Sequence, residues 1–272
     1  MVYLICLLIG LLTAMLGSLV GLGGGVILVP SLLILQQYFG GFEWATPHTI
    51  VGISLVVMVF TALSSTISYF RKGRVDYRTG LIFLTGGIPG GVLGSWLNQF
   101  INAEKFTLYF GLLMILLSLL FLVKRKLPSE GKAIQGKNVR SFQFDGKTYQ
   151  YTVSFWLAFP IALIVGTLSG LFGIGGGSIM VPMMILLFGF PAHIAIATSM
   201  FMIFFTSLLG AGTHIMLGHV AWEYAIWFIP GAWLGGTFGA KINQKLKGQA
   251  LEWILRILLI IIGIRLIIDG LM

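Results

Sequence analysis

The chain carries two nearly identical words, "GLGGGVILVP" over Gly21–Pro30 and "GIGGGSIMVP" over Gly173–Pro182. Glycine costs about 1 kcal/mol relative to alanine inside a helix, so three in a row mark a break. A new helix is expected to begin after each, near Val26 and Ser178. The first N–H groups of such a helix have no intrahelical acceptor, and together they carry roughly half a positive charge. With no side chains in the way, the backbones of Gly23, Gly24 and Gly25, and of Gly175, Gly176 and Gly177, can approach a ligand directly. Bare amides at a helix start bind anions. Gly21 and Gly173 open the two words. The Ser178 hydroxyl stands where the first copy has Val26, so two such ends would hold an anion from both sides, but unequally. Pro30 and Pro182 are hinge candidates.

Other polar residues in apolar surroundings are few. His48 and His193 closely follow Pro47 and Pro191. A histidine at a helix start is ordinarily a cap or an interface residue; their equivalence in the two copies marks them as candidates for coupling. Ser54, Thr198 and Ser199 lie deeper, about 10 Å into their segments at 1.5 Å per residue. Such hydroxyls usually bond back to their own helix, but these could line a cavity. All eight acidic residues lie in loops or near segment ends, which disfavours a carboxylate proton relay or cation site within a membrane. No Walker A, HExxH or GxSxG pattern occurs, so neither ATP drive nor an enzyme is expected. The single cysteine, Cys6, has no partner for a disulfide or a metal, and no cofactor is expected.

The elements that must position these residues are membrane helices. The chain is 57% apolar and 9% charged, where a soluble domain carries about 25% charge. Mean hydropathy is +0.99. Apolar segments run over 2–20, 25–39, 47–70, 78–97 and 105–123, then 153–172, 177–190, 192–216, 223–240 and 250–270. The second of each set is too short for the roughly 30 Å hydrocarbon core. "PHTIVGIS" from Pro47 aligns with "AHIAIATS" from Ala192, "GRVDY" from Gly73 with "GHVAW" from Gly218, and "IPGGVLG" from Ile88 with "IPGAWLG" from Ile229. Gly90-xxx-Gly94 and Gly231-xxx-Gly235-xxx-Gly239 read as helix-packing stripes. Trp44, Trp96, Trp156, Trp222 and Trp253 read as interface anchors. Arg256 and Arg265, each four residues from an acid (Glu252, Asp269), read as paired snorkelling ends.

The formal net charge of +9 sits in loops, where it reports topology rather than nucleic-acid binding. Fourteen of the 17 basic residues fall between segments three and four, in the central stretch, or between segments nine and ten. The loops equivalent to the first and last of these, 217–222 and 98–104, carry no Lys or Arg. Inversion of charge between the copies implies an odd number of crossings in each. The expected fold is therefore an all-α polytopic membrane protein built as two inverted repeats of five segments, 1–123 and 153–272, with Gly-broken short helices. Residues 124–152 join them as a cytoplasmic linker. Within it, "SFQFDGKTYQYTV" alternates around Asp145-Gly146 and reads as a two-residue β-hairpin; a disordered basic linker is the alternative.

The paired Gly-rich words, the central polar loop and the paired "IPG" segments resemble the TauE/SafE family, also called the toluene sulfonate uptake permeases. The resemblance covers about residues 5–268. It implies a multi-pass carrier in the inner (cytoplasmic) membrane that moves sulfite, sulfoacetate or other organosulfonates, often outward. It also carries the family's Gly-rich motif onto Gly21, Gly23, Gly24, Gly25 and Pro30, and onto Gly173, Gly175, Gly176, Gly177 and Pro182. Val26 against Ser178 is a departure between the copies.

The expected function is thus a secondary transporter of small sulfur anions, working by alternating access around two Gly-rich helix starts. Its partners are the anion and the lipid bilayer. The alternatives are a non-transporting scaffold or assembly factor, which needs a tightly packed centre, or a carrier of another small anion or a metal ion. The metal reading needs clustered ligands, and the four histidines are scattered in sequence.

Overall fold

A computed structural model describes residues 1–120, 139–144 and 147–246, with isolated positions at 253, 257, 260 and 264. The order is α1 (Val2–Val20), α2 (Gly25–Tyr38), α3 (Pro47–Phe70), α4 (Tyr77–Leu97), α5 (Ala103–Leu120), β1 (Val139–Phe144), β2 (Lys147–Thr152), α6 (Phe155–Phe172), α7 (Gly177–Leu186), α8 (Ala192–Met216) and α9 (Trp222–Asn243). Five of these helices are long and apolar enough to cross a membrane by length and composition: α1, α3, α4 with its following turn, α6 and α8. The expected tenth segment, the Arg256 and Arg265 pairs, and most of the linker lie outside the described residues.

α1 stops where the first Gly word begins. Gly21 takes a left-handed φ of 81° and its N–H returns to the Gly17 carbonyl. α6 stops the same way at Gly173, φ 65°. α2 then restarts with 14 residues and α7 with 10, about 21 and 15 Å of helix. Neither can cross alone. α7 is shorter than the 177–190 read from hydropathy: helix ends at Leu186, and Gly189 at φ 77° turns the chain into Phe190-Pro191.

Helix packing follows the glycine stripes. Gly86, Gly90 and Gly94 of α4 lie against the carbonyls of Phe159, Leu163 and Thr167 on α6. Gly231, Gly235 and Gly239 of α9 lie against the carbonyls of Leu7, Leu11 and Met15 on α1. None of the six has room for a Cβ. Backbone approach of this kind is the ordinary source of helix association in lipid. The contacts also correct the sequence register. Matching the "IPG" words pairs Gly90 with Gly231, whereas the contacts pair Gly90 with Gly235, Gly94 with Gly239 and Asn98 with Asn243. A four-residue glycine stripe looks the same after a slip of one turn, so the words alone chose the wrong turn.

The hairpin forms, with Val139 opposite Thr152 and Phe144 opposite Lys147. It docks through Tyr151, whose ring stacks on Phe190 at 3.9 Å and whose hydroxyl donates to the Asp76 carboxylate at the start of α4. The Thr152 N–H donates to the Phe188 carbonyl at 3.2 Å.

Candidate functional site

The two Gly breaks meet. Gly25, the first residue of α2, lies against the Gly173 carbonyl, and Gly177, the first residue of α7, lies against the Gly21 carbonyl; neither has room for a side chain. Each carbonyl is also held by a hydroxyl from a long central helix. Ser54 on α3 donates to Gly173 O at 2.6 Å. Ser199 on α8 donates to Gly21 O at 2.9 Å and to Ile196 O at 2.8 Å. The first amide of α7 is taken up within its own break, the Gly177 N–H donating to the Gly175 carbonyl.

Met58 and Ile203 were not singled out in the sequence. Both are fully or almost fully buried. A methyl group placed on Gly23 would come within 3.2 Å of the Met58 sulfur and 3.1 Å of Ile203. The Met58 sulfur also crowds Gly25 and Gly175, and Ile203 crowds Gly177. Each lies one helical turn beyond its serine, Ser54 or Ser199, on the same face. That spacing is the signal that could have found them. They fill the space between the breaks.

A cavity of about 20 Å³ lies beside α7, lined by Gly176, Gly177, Val165, Ser199, Ile203 and Thr206 among others. It suits about one water molecule. The Gly176 N–H does not point to it unpaired: it donates to the Ser169 hydroxyl at 2.6 Å. The first copy has Gly17 at the equivalent place, so tightly packed on Gly24 that no Cβ fits there. The two ends are thus unequal through Ser169 and Gly17 as well as through Ser178 and Val26. Ser178 is fully buried, and its hydroxyl has no hydrogen-bond partner among the described residues. Val26 is packed in the core.

The other candidates separate from this centre. The Thr198 hydroxyl accepts from the Asp76 N–H at 3.0 Å, tying α8 to the loop before α4. His193 is half-buried, with its Nδ1 buried and unpartnered among the described residues. His48 lies at the other end of the bundle, its Nδ1 3.0 Å from Asn98 Oδ1. Pro30 and Pro182 sit within α2 and α7, both buried. Trp44 is half-buried, stacked on Tyr224 at 4.1 Å with its indole N–H donating to Gly41 O. Near the hairpin, a polar cleft of about 390 Å³ is lined by Asp76, Arg78, Thr79, Arg140 and Ser141. Among the described residues no three His, Cys, Asp or Glu side chains are arranged to hold a metal ion.

Residues 6–266 match the family model described as sulfite exporter TauE/SafE. The chain is 46% identical to the probable membrane transporter protein YunE of Bacillus subtilis, over 99% of both chains. It is 31% identical to a probable membrane transporter protein of Xylella fastidiosa, over 86% of this chain and 84% of that one. A probable membrane transporter protein of Methanocaldococcus jannaschii is 28% identical, over 95% of this chain and 92% of that one. No solved structure matches. Two Gly-broken helices that meet at the centre of a multi-pass bundle, and a family model spanning nearly the whole sequence, lead to one assignment: the chain belongs to the TauE/SafE sulfite exporter family.

Proposed function

We propose that the protein is a membrane transporter of small sulfur-containing anions such as sulfite or organosulfonates. Residues 1–123 and 153–272 act as inverted halves joined by 124–152, and the anion binds between the starts of α2 and α7. The supporting observation is the reciprocal meeting of the two breaks, each helix start against the other's carbonyl. To bind, the anion takes the helix-start amides, drawing the Gly177 N–H from the Gly175 carbonyl and the Gly176 N–H from Ser169, and Met58 and Ile203 move aside. Methionine suits such a plug because its unbranched thioether repacks at low cost. Ser54, Ser199 and the unpartnered Ser178 hydroxyl supply donors to the incoming oxygens. Rocking of one half against the other about this point then alternates access. The cleft at Arg78 and Arg140 gives the anion a cationic approach from the hairpin side.

Purified protein in liposomes is expected to move labelled sulfite or sulfoacetate faster than empty vesicles. Absence of flux across a panel of sulfur anions would overturn the reading. One observation favours a second reading, a non-transporting scaffold: the centre is closely packed, with space for about one water. A scaffold predicts no flux for any small anion, and no change in flux when Met58 is shortened.

A further inference from the structure

Three of the four histidines, His48 from the start of α3 and His214 and His219 from the end of α8 and the loop after it, meet at the end of the bundle opposite the Arg71–Arg78 loop. The His214 and His219 Nδ1 atoms lie 3.2 Å apart. The His219 ring stacks on that of His48 at 5.2 Å. His48 Nδ1 lies 3.0 Å from Asn98 Oδ1, and Asn98 Nδ2 donates to the Leu171 carbonyl at 2.7 Å.

Hydrogen-bond logic fixes the protons. A carbonyl accepts only, so Asn98 must present its NH2 to Leu171 and its oxygen to His48. His48 is then the Nδ1–H tautomer. Between His214 and His219, one Nδ1 carries hydrogen and the other accepts it. If both rings became imidazolium, two N–H groups would point at each other and the bridge would break. The pair therefore takes one proton, not two, as an imidazole–imidazolium bridge. That bridge is charge-assisted and stronger than the neutral one.

Among the described residues no carboxylate neutralises the added charge. The titratable groups that act on the pair are its own members and His48, from α8, the loop after it, and α3. From α6 the Gly170 carbonyl acts on His214, whose Nε2 is buried without a hydrogen bond among the described residues. No described Asp, Glu, Lys or Arg takes part. Burial and then His48 hold the His219 pKa below the ordinary imidazole value. A protonated pair is thus a partly buried cation without a counterion among the described residues. Its contacts lead toward the backbone near Gly173 and Ser54: Leu171 lies two residues before Gly173, and the His219 carbonyl packs on Gly52, two residues before Ser54.

We propose that the His214–His219 pair, backed by His48, is a one-proton site whose positive charge is offset by the transported anion, so that one proton moves with each anion. This rests on the transporter reading above. In liposomes, an imposed pH gradient is expected to drive labelled sulfite uphill in the wild type. His214→Gln and His219→Gln are expected to lower this driven accumulation at least tenfold more than they lower sulfite counterflow. Equal losses in the two assays, or accumulation in the wild type that ignores the pH gradient while counterflow proceeds, would overturn the coupling and leave the transporter standing. Absence of any wild-type flux would strike the transporter reading instead. A second measurement does not need flux: imidazole-nitrogen NMR of the full chain in nanodiscs, titrated with acid. One proton shared by His214 and His219 is expected, tighter when sulfite is present. Two independent protonations, or no effect of sulfite, would overturn the site.

Discussion

Ser54 donates its hydroxyl to the Gly173 carbonyl at 2.6 Å, and Ser199 returns the same bond to Gly21 at 2.9 Å. The exchange recurs further out. Asn98 donates to Leu171 O at 2.7 Å, and Asn243 donates to Leu19 O at 2.6 Å. In each case a side chain of one half holds the backbone beside the other half's Gly break. The halves are therefore fastened at their weakest points, where helix has been given up.

Removing either serine hydroxyl leaves a buried carbonyl short of its donor, which costs about 1–3 kcal/mol. Ser54→Ala and Ser199→Ala are each expected to lower the melting temperature in detergent. Because Ser199 is also bonded to its own helix at Ile196, Ser54→Ala should be at least as damaging. The double variant should fall further than either single variant.

Gly25→Ala and Gly177→Ala put a methyl group into a backbone carbonyl that cannot yield. Overpacking of this kind costs about 1–3 kcal/mol or more. Both are expected to lose most of the monodisperse protein in size-exclusion chromatography. Gly176→Ala meets its nearest neighbour at 3.6 Å, at Val165. It should fold, yet cut sulfite flux severalfold by narrowing the space beside α7.

Met58→Ala deletes a fully buried side chain between the breaks. The stability loss is expected at about 2–5 kcal/mol. If Met58 plugs the site, flux per folded molecule rises or extends to larger sulfonates. Ile203→Ala should act in the same sense. Transport assays normalised to folded protein distinguish this from simple destabilisation.

Tyr151 joins the hairpin to the bundle, and burial together with the Asp76 carboxylate pushes its phenol pKa upward. A pKa raised by folding gives stabilisation that is complete below the unfolded value, about 10 for tyrosine, and is lost as pH climbs above it. Hydrogen exchange in residues 139–152 should therefore stay slow through neutral pH and speed up above about pH 10. Tyr151→Phe, which cannot bond Asp76, should exchange faster at neutral pH as well.

The sequence by itself determined where the two long central helices start and stop. α3 and α8 run over Pro47–Phe70 and Ala192–Met216, the bounds that proline, hydropathy and loop charge mark. The Gly words had to break their helices because no other residue takes up φ 81° at Gly21 at so little cost. Alternation around Asp145-Gly146 foretold the hairpin. These are local effects of sterics and burial, and a chain displays them in order. Only the tertiary structure decided which surfaces meet. It chose the glycine register, since a four-residue stripe is unchanged by a one-turn slip. It placed Met58 and Ile203 between the breaks, although neither differs in type from any core residue. It brought His48 against the His214–His219 pair, which lies in the other half of the chain. It also packed the two breaks against each other, because Gly25 and Gly177, having no side chains, let the Gly173 and Gly21 carbonyls come close.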